Sequence, residues 1–316
     1  MDSRTRRYII RRIVVVILTL FVVTLLSFLL MRLSPIDPAT AYVKRNSAVV
    51  TQEQIEEARV MLGLNKSLPA QYLDWVYDAV HMDFGISLGT GNPVTEELAK
   101  TVPVTFTVVA YSAVIMVIGV MIVGALGYLW RNKAGGMILS FLTMVGISVP
   151  GFYFGTAFID VFAVQLGWLK VSGNSGFLKY FPVALCLSIL GICFYGKMLA
   201  ASLEREMDQD YAMYARCRGL SEIRILFFHA LPHAVVDLLP NFAQMLGLCL
   251  ANAAIVERVF SLSGLGYLII DAVVKRDSPV IHAAVLILAL TLVLLDTAAE
   301  LLQYALRSDM RAAGGR

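Results

Sequence analysis

Charge is scarce in this sequence: Asp, Glu, Lys and Arg make up 16% of 316 residues, against about 25% in an ordinary soluble domain. The net charge of +3 offers no basic face for nucleic acid. Cysteine is scarce too. Cys186, Cys193, Cys217 and Cys249 form no C-x-x-C pair, so they read as small buried side chains and not as a disulfide frame. A phosphate-binding loop is missing. The nearest match, Gly146-Ile-Ser-Val-Pro-Gly151, lacks the following Lys-Ser/Thr and sits inside an apolar segment. No nucleophile pairs with a matching base on neighbouring apolar segments, which argues against an intramembrane enzyme. No internal inverted repeat is visible, which argues against a self-sufficient secondary transporter.

What the sequence has is hydrocarbon. Hydrophobic residues make up 58%, and mean hydropathy is +0.74. Its apolar runs are long enough to cross a core about 30 Å thick, and they are continuous, which selects helices over a barrel. The expected fold is all-α and polytopic, with six spans near 10–31, 103–129, 137–165, 181–200, 235–256 and 282–305. Arg4, Arg6, Arg7, Arg11 and Arg12 precede the first run, and Ala39-Thr40-Ala41 has the form of a cleavage site. The run of about 19 residues exceeds a signal-peptide core, so it reads as an uncleaved first helix. With the N-terminus inside, 15 of the 26 Lys and Arg fall on the cytoplasmic side, and N-in, C-in is the expected orientation. The expected division is a cytoplasmic N-terminus and first span (1–31), an extracytoplasmic helical cap (32–102), a five-helix core (103–305) and a cytoplasmic tail (306–316).

The cap has its own helix signals. Thr51-Gln-Glu-Gln54 has the form of a capping box, with Ile55, Ala58, Met61 and Leu62 at helical spacing before Gly63. Pro69 opens a second helix, expected to carry Tyr72, Leu73, Val76 and Val80 on one face, and Asp83-Phe84-Gly85 turns the chain. The cap is read as about two helices deep. A folded spacer and a working surface both fit it.

Inside the core lies a polar insert, 201–234. A mixed-charge helix end (Glu204, Arg205, Glu206, Asp208, Asp210) leads to a short helix around 212–218, which Gly219 ends. Small Ala215 beside Gly219 suits close approach to a partner, with Arg216 and Arg218 on the rim. Pro232 is expected to break the helical run before the fifth span.

Ala215, Gly219, Leu231 and Pro232 fall at the spacing A-x3-G-x11-L-P. This resembles the "EAA" loop of ABC-importer permeases, which docks onto an ATP-hydrolysing subunit. The resemblance runs nearly the whole length and is closest to the dipeptide/oligopeptide/nickel branch. Arg11-Arg12, Arg32-Leu-Ser-Pro35, Asp37-Pro38, Leu62-Gly63-Leu64, Gln71-Tyr72, Trp75, Asp83-Phe84-Gly85-Ile-Ser87 and Pro93-Val94 carry its first part. Ser148-Val-Pro150, Phe152, Leu166-Gly-Trp168-Leu169, Asp210-Tyr211, Glu257-Arg-Val-Phe260, Gly264-Leu265-Gly266, Arg276-Asp277 and Pro279 carry the rest. Met213-Tyr214 stand where the general pattern has Glu-Ala, and Lys170 and Ser263 where the family has proline. Leu62–Ser87 leans toward the nickel members.

The resemblance implies a type I ABC-importer permease in the bacterial cytoplasmic membrane. Its implied partners are a second homologous permease, two ATP-binding subunits and an extracytoplasmic binding protein, with membrane lipid around it. ATP would be bound by those partners, and this chain would hold no cofactor or metal. It would be a transport subunit for nickel or a metal chelate, or alternatively a di/oligopeptide. The coupling residues it implies are Asp210, Tyr211, Ala215, Arg216, Arg218, Gly219, Leu231 and Pro232.

Ionisable residues at membrane depth often mark a pathway. Asp160, Asp237, Asp296 and Glu300 lie in or near spans, and the i,i+4 pair Asp296 and Glu300 reads as a hydrated helix end. His229, His233 and Asp237 are spaced i, i+4, i+8, but the expected break at Pro232 and their place at the elbow argue against metal ligation. Gln244 and Asn252 are eight residues apart and can share a face. That stripe suits a solvated path, and it equally suits helix–helix hydrogen bonds. Glu257 is placed at the outer mouth of such a path, paired with Arg258 or Arg276.

Overall fold

The computed structural model describes residues 3–33, 37–46, 50–168, 170 and 176–313. Ser34, Pro35 and Leu169 of the motifs above, and the end of the tail (314–316), lie outside the described residues. Among these residues there is no strand. One isolated antiparallel bridge joins Ile86 and Pro93.

Two compact units divide the chain: Met1–Val104 with Ser263–Val293, and Thr105–Leu262 with Leu294–Arg316. The expected contiguous 103–305 core is therefore not one body, because Ser263–Val293 packs with the N-terminal part of the chain.

In the first unit, α1 (Ser3–Arg32) is followed by three short helices, α2 (Pro38–Asn46), α3 (Gln52–Met61) and α4 (Leu68–Val80). The cap is thus three helices deep, not two. Ala39-Thr40-Ala41 lies inside α2, with Ala39 fully buried. The capping box at Thr51 is present. Gly63 takes φ +64°, and two bonds run back into the last turn of α3, Leu64 N–H to Arg59 O and Gly63 N–H to Val60 O. That is a Schellman ending, which needs a residue free to enter the left-handed region.

The inner face of α4 is not the expected one. Tyr72 and Ala79 are buried while Leu73 and Val80 are exposed, because Tyr72 reaches α1. Its hydroxyl meets Thr24 Oγ1 at 2.9 Å, and its ring packs edge-on against Phe21 and Phe28. Tyr72 keeps its expected inward place, and its buried hydroxyl finds in Thr24 the partner it needs.

An Asp277 clip organises the rest of this unit. Asp277, 3% exposed, joins α12 (Leu265–Lys275) to α13 (Ser278–Ala313). Its carboxyl group accepts from Ser87 Oγ, Leu88 N–H at 3.0 Å and Gly89 N–H at 2.9 Å. The Ser87 loop is thereby held against the α12–α13 corner. The helix α12 had no place in the six-span scheme.

Long helices make up the second unit: most of α5 (Val94–Leu129), α8 (Phe177–Met207), α11 (Leu231–Val259) and the end of α13. Glycines let α5 and α8 approach closely. A Cβ at Gly124 would lie 2.6 Å from Leu199, and one at Gly196 would lie 2.5 Å from Val123. Small residues are the usual means of bringing apolar helices together where lipid provides no hydrophobic drive.

Among the described residues, five helices are long and apolar enough to span a membrane. The expected third span, 137–165, is instead a bent pair. Helix α6 (Ala134–Ser148) meets α7 (Gly151–Phe158), which continues as a π-helix to Gln165, at 99°. The corner is Ser148-Val149-Pro150. Proline has no N–H and disfavours helix in the residue before it, and Val149 is extended at φ −91°, ψ 126°. Among the described residues, the count rises to six if this pair is one span.

Candidate functional site

The polar insert folds as a compact elbow within the second unit. Helix α8 ends at Met207, α9 runs Asp210–Cys217, and α10 (Glu222–Ile225) leads through a π-turn, Leu226–Ala230, into α11. Gly219 takes φ +80°. Leu220 N–H bonds Ala215 O, and Gly219 N–H bonds Arg216 O. This Schellman ending fixes the direction in which the chain leaves α9.

Side chains brace the elbow to the long helices. Tyr211 donates to Glu206 Oε2 at 2.7 Å, and its ring lies 5.4 Å from that of His233. One residue of α9 thereby touches the end of α8 and the start of α11. Burial, then the hydrogen bond to Glu206, pushes the Tyr211 phenol up, so it stays a neutral donor. Arg216 grips both oxygens of Glu222, at 2.6 and 3.3 Å, tying α9 to α10. That hydrogen bond holds the guanidinium even more firmly protonated.

Two expectations about the elbow are corrected. Ala215 is 5% exposed and packs inward with Ala212, Ile225, Leu226 and Ala230, so its small size serves this chain's own core. At Gly219 a Cβ would face open space. Pro232 does not break the helical run, for α11 starts at Leu231 and Pro232 occupies its first turn. The helical backbone continues from Ala230 into Leu231, and the wider π-turn upstream makes room for the proline ring. Asp210, Arg218 and Pro232 are exposed and Leu231 is half-buried. His229 sits in the π-turn with Nδ1 buried and without a hydrogen-bond partner.

Sequence reasoning missed the exposed apolar side chains of the elbow. Met213, Tyr214, Ile223, Phe227 and Phe228 are exposed, Phe228 by 75%. In the sequence Met213-Tyr214 stand out only as a departure from a motif. Phe227-Phe228 inside a polar insert was the available signal.

On α11 the polar positions separate. Gln244 and Asn252 share an exposed face with Leu248 and Ile255, and the adjoining stripe of Met245, Cys249, Ala253 and Val256 is buried. Glu257 is elsewhere. It is 0% exposed and accepts a hydrogen bond from Thr105 Oγ1 on α5. Its place at an open mouth is corrected, since five residues from Asn252 a helix has turned the side chain into the core.

Residues 115–312 match the family described as "Binding-protein-dependent transport system inner membrane component", and residues 5–109 match its N-terminal companion. The glutathione transport system permease protein GsiC of Escherichia coli strain K12 is 32% identical over 304 residues, covering 96% of this chain and 98% of its own. GsiC of Shigella boydii serotype 4 has the same identity and coverage. Among solved structures, an inward-facing MetNI methionine ABC transporter matches with a TM-score of 0.57 at 18% identity. That match covers 66% of this chain and 96% of the other.

Proposed function

The chain belongs to the binding-protein-dependent transport system inner membrane component family, and we propose that it forms half of the path for a short, peptide-like solute. It is a multi-pass permease subunit of an ABC importer in the bacterial inner membrane, a member of the dipeptide/oligopeptide/nickel branch. ATPase subunits and a binding protein work with such a permease.

The cargo reading moves from the nickel lean to its peptide alternative. The observation that carries it is the near-full-length similarity to glutathione permeases. The nickel lean rested on Leu62–Ser87, and that segment is occupied with holding the cap together. Gly63 ends α3, Gln71 bridges the Leu64 and Lys66 carbonyls, and Ser87 binds Asp277. Such a segment carries information about cap folding rather than about cargo.

In this reading the N-terminus, the tail and the elbow are cytoplasmic. The apolar face of Met213, Tyr214, Ile223, Phe227 and Phe228 docks into one of two ATP-binding subunits, with Arg218 and Asp210 at its rim. Closure of those subunits on ATP pushes α9. Tyr211 and the Arg216–Glu222 pair pass the displacement to α8 and α11. Gln244 and Asn252 face the path or a second, homologous permease chain, and Glu257 supports the path from behind. ATP stays on the partner subunits, and this chain needs no cofactor. The test is uptake by proteoliposomes holding the whole importer and its binding protein. Labelled glutathione or a tripeptide should accumulate only with ATP enclosed, and Ni²⁺ should not. Nickel accumulation without peptide accumulation would overturn the cargo reading.

A further inference from the structure

The second unit holds a cavity of about 230 Å³ between the end of α5, the first turns of α6 and the later part of α8. Two cations line it, Arg131 and Lys197, and Ser140 adds a hydroxyl. Because α8 runs on from here into the elbow, the cavity lies toward the cytoplasmic side of the chain.

The two cations are held differently. The Arg131 guanidinium lies 4.1 Å from the centre of the Tyr128 ring, donates to Tyr128 O at 3.2 Å and meets Glu204 at 3.6 Å. Glu204 therefore offsets part of its charge. Lys197 stands on a helix long and apolar enough to span a membrane, ten residues before that helix ends at Met207. Among the described residues no carboxylate pairs with it. A cation at that depth is costly without a counter-charge.

The surroundings indicate what supplies one. Trp130, next to Arg131, is 38% exposed, and such an indole settles at headgroup depth. On α6, Met137, Ile138, Phe141 and Leu142 are all more than half exposed, an apolar strip that suits acyl chains and not water. Basic pockets between spanning helices on the cytoplasmic side are suited to anionic headgroups. We propose that this cavity seats the phosphate of an anionic phospholipid of the inner leaflet between Lys197 and Arg131, with its acyl chains along α6. The site is independent of the cargo.

The test is native mass spectrometry of the complete importer, stripped of lipid in detergent and titrated with phosphatidylglycerol or phosphatidylcholine. Both lipids carry a phosphate and two acyl chains, but only phosphatidylglycerol has a net charge. Saturable binding that favours phosphatidylglycerol is expected. Lys197→Gln should weaken it about fivefold, the worth of one lysine beside an anionic headgroup. Lys179→Gln, at the other end of the same helix, should leave it unchanged. Equal binding of the two lipids would overturn the proposal even if Lys197→Gln failed to assemble. So would a preference for phosphatidylglycerol that survives Lys197→Gln intact. Displacement of the lipid by inorganic phosphate at matching concentration would assign the site to a free anion and overturn the lipid reading.

Discussion

Glu257 and Gly219 matter for different physical reasons. Glu257 is enclosed and hydrogen-bonded by Thr105, so its first task is to hold α11 against α5. Thr105→Val keeps the shape and removes the donor, which should cost about 1–3 kcal/mol. A lowered thermal midpoint of the detergent-purified complex is the expected result, and an unchanged midpoint would remove this role. Gly219 has open space around it, so a substitution there is penalised by backbone conformation and not by collision. At φ +80° an L residue costs roughly 1–2 kcal/mol, with Asn tolerated best. Gly219→Val should therefore depress cargo-stimulated ATP hydrolysis well below that of Gly219→Asn. Equal activity in the two variants would show that the Schellman turn does not set the elbow.

At the scale of elements, the clearest dependence is of the Ser87 loop on Asp277. Asp277→Ala removes an acceptor shared by one hydroxyl and two backbone N–H groups, of which Gly89 N–H keeps Ser87 Oγ. Amide hydrogen exchange over residues 86–90 should then speed up by an order of magnitude or more, while the elbow exchanges as before. Slow exchange in the variant would mean that other contacts hold the loop. Gly196→Val tests the α5–α8 contact, where overpacking should cost about 1–3 kcal/mol or prevent assembly. Much at this scale was legible in the sequence. Thr51-Gln-Glu-Gln54, Gly63 and Gly219 mark helix ends because each meets a local backbone demand. The 99° corner at Pro150, the inner face of α4 and the helix through Pro232 were not legible. Each depends on what lies across from it: a π-turn upstream of Pro232, a threonine on α1 opposite Tyr72. Asn252 and Glu257 were separable by helical angle alone, but only the packing of α5 says which one is enclosed.

For the whole molecule, composition and apolar run length sufficed for a polytopic helical protein, and the order of short motifs sufficed for the family. The split into two units was hidden, because it joins residues near 87 to residues near 277. The apolar face of the elbow was hidden for a different reason: exposure of Phe228 or Met213 is a property of the folded turn. That face carries the account's central claim, that this permease takes its drive from a separate ATPase subunit docked at the elbow. The direct measurement is co-purification of the ATPase subunits with the permease pair carrying Phe228→Asp, alongside cargo-stimulated ATP hydrolysis in proteoliposomes. A charge in the centre of a desolvated apolar contact is unpaired and costly, so the account predicts that the variant permease pair assembles but loses its ATPase and all stimulated hydrolysis. Full retention of the ATPase, with hydrolysis stimulated as in the wild type, would contradict it.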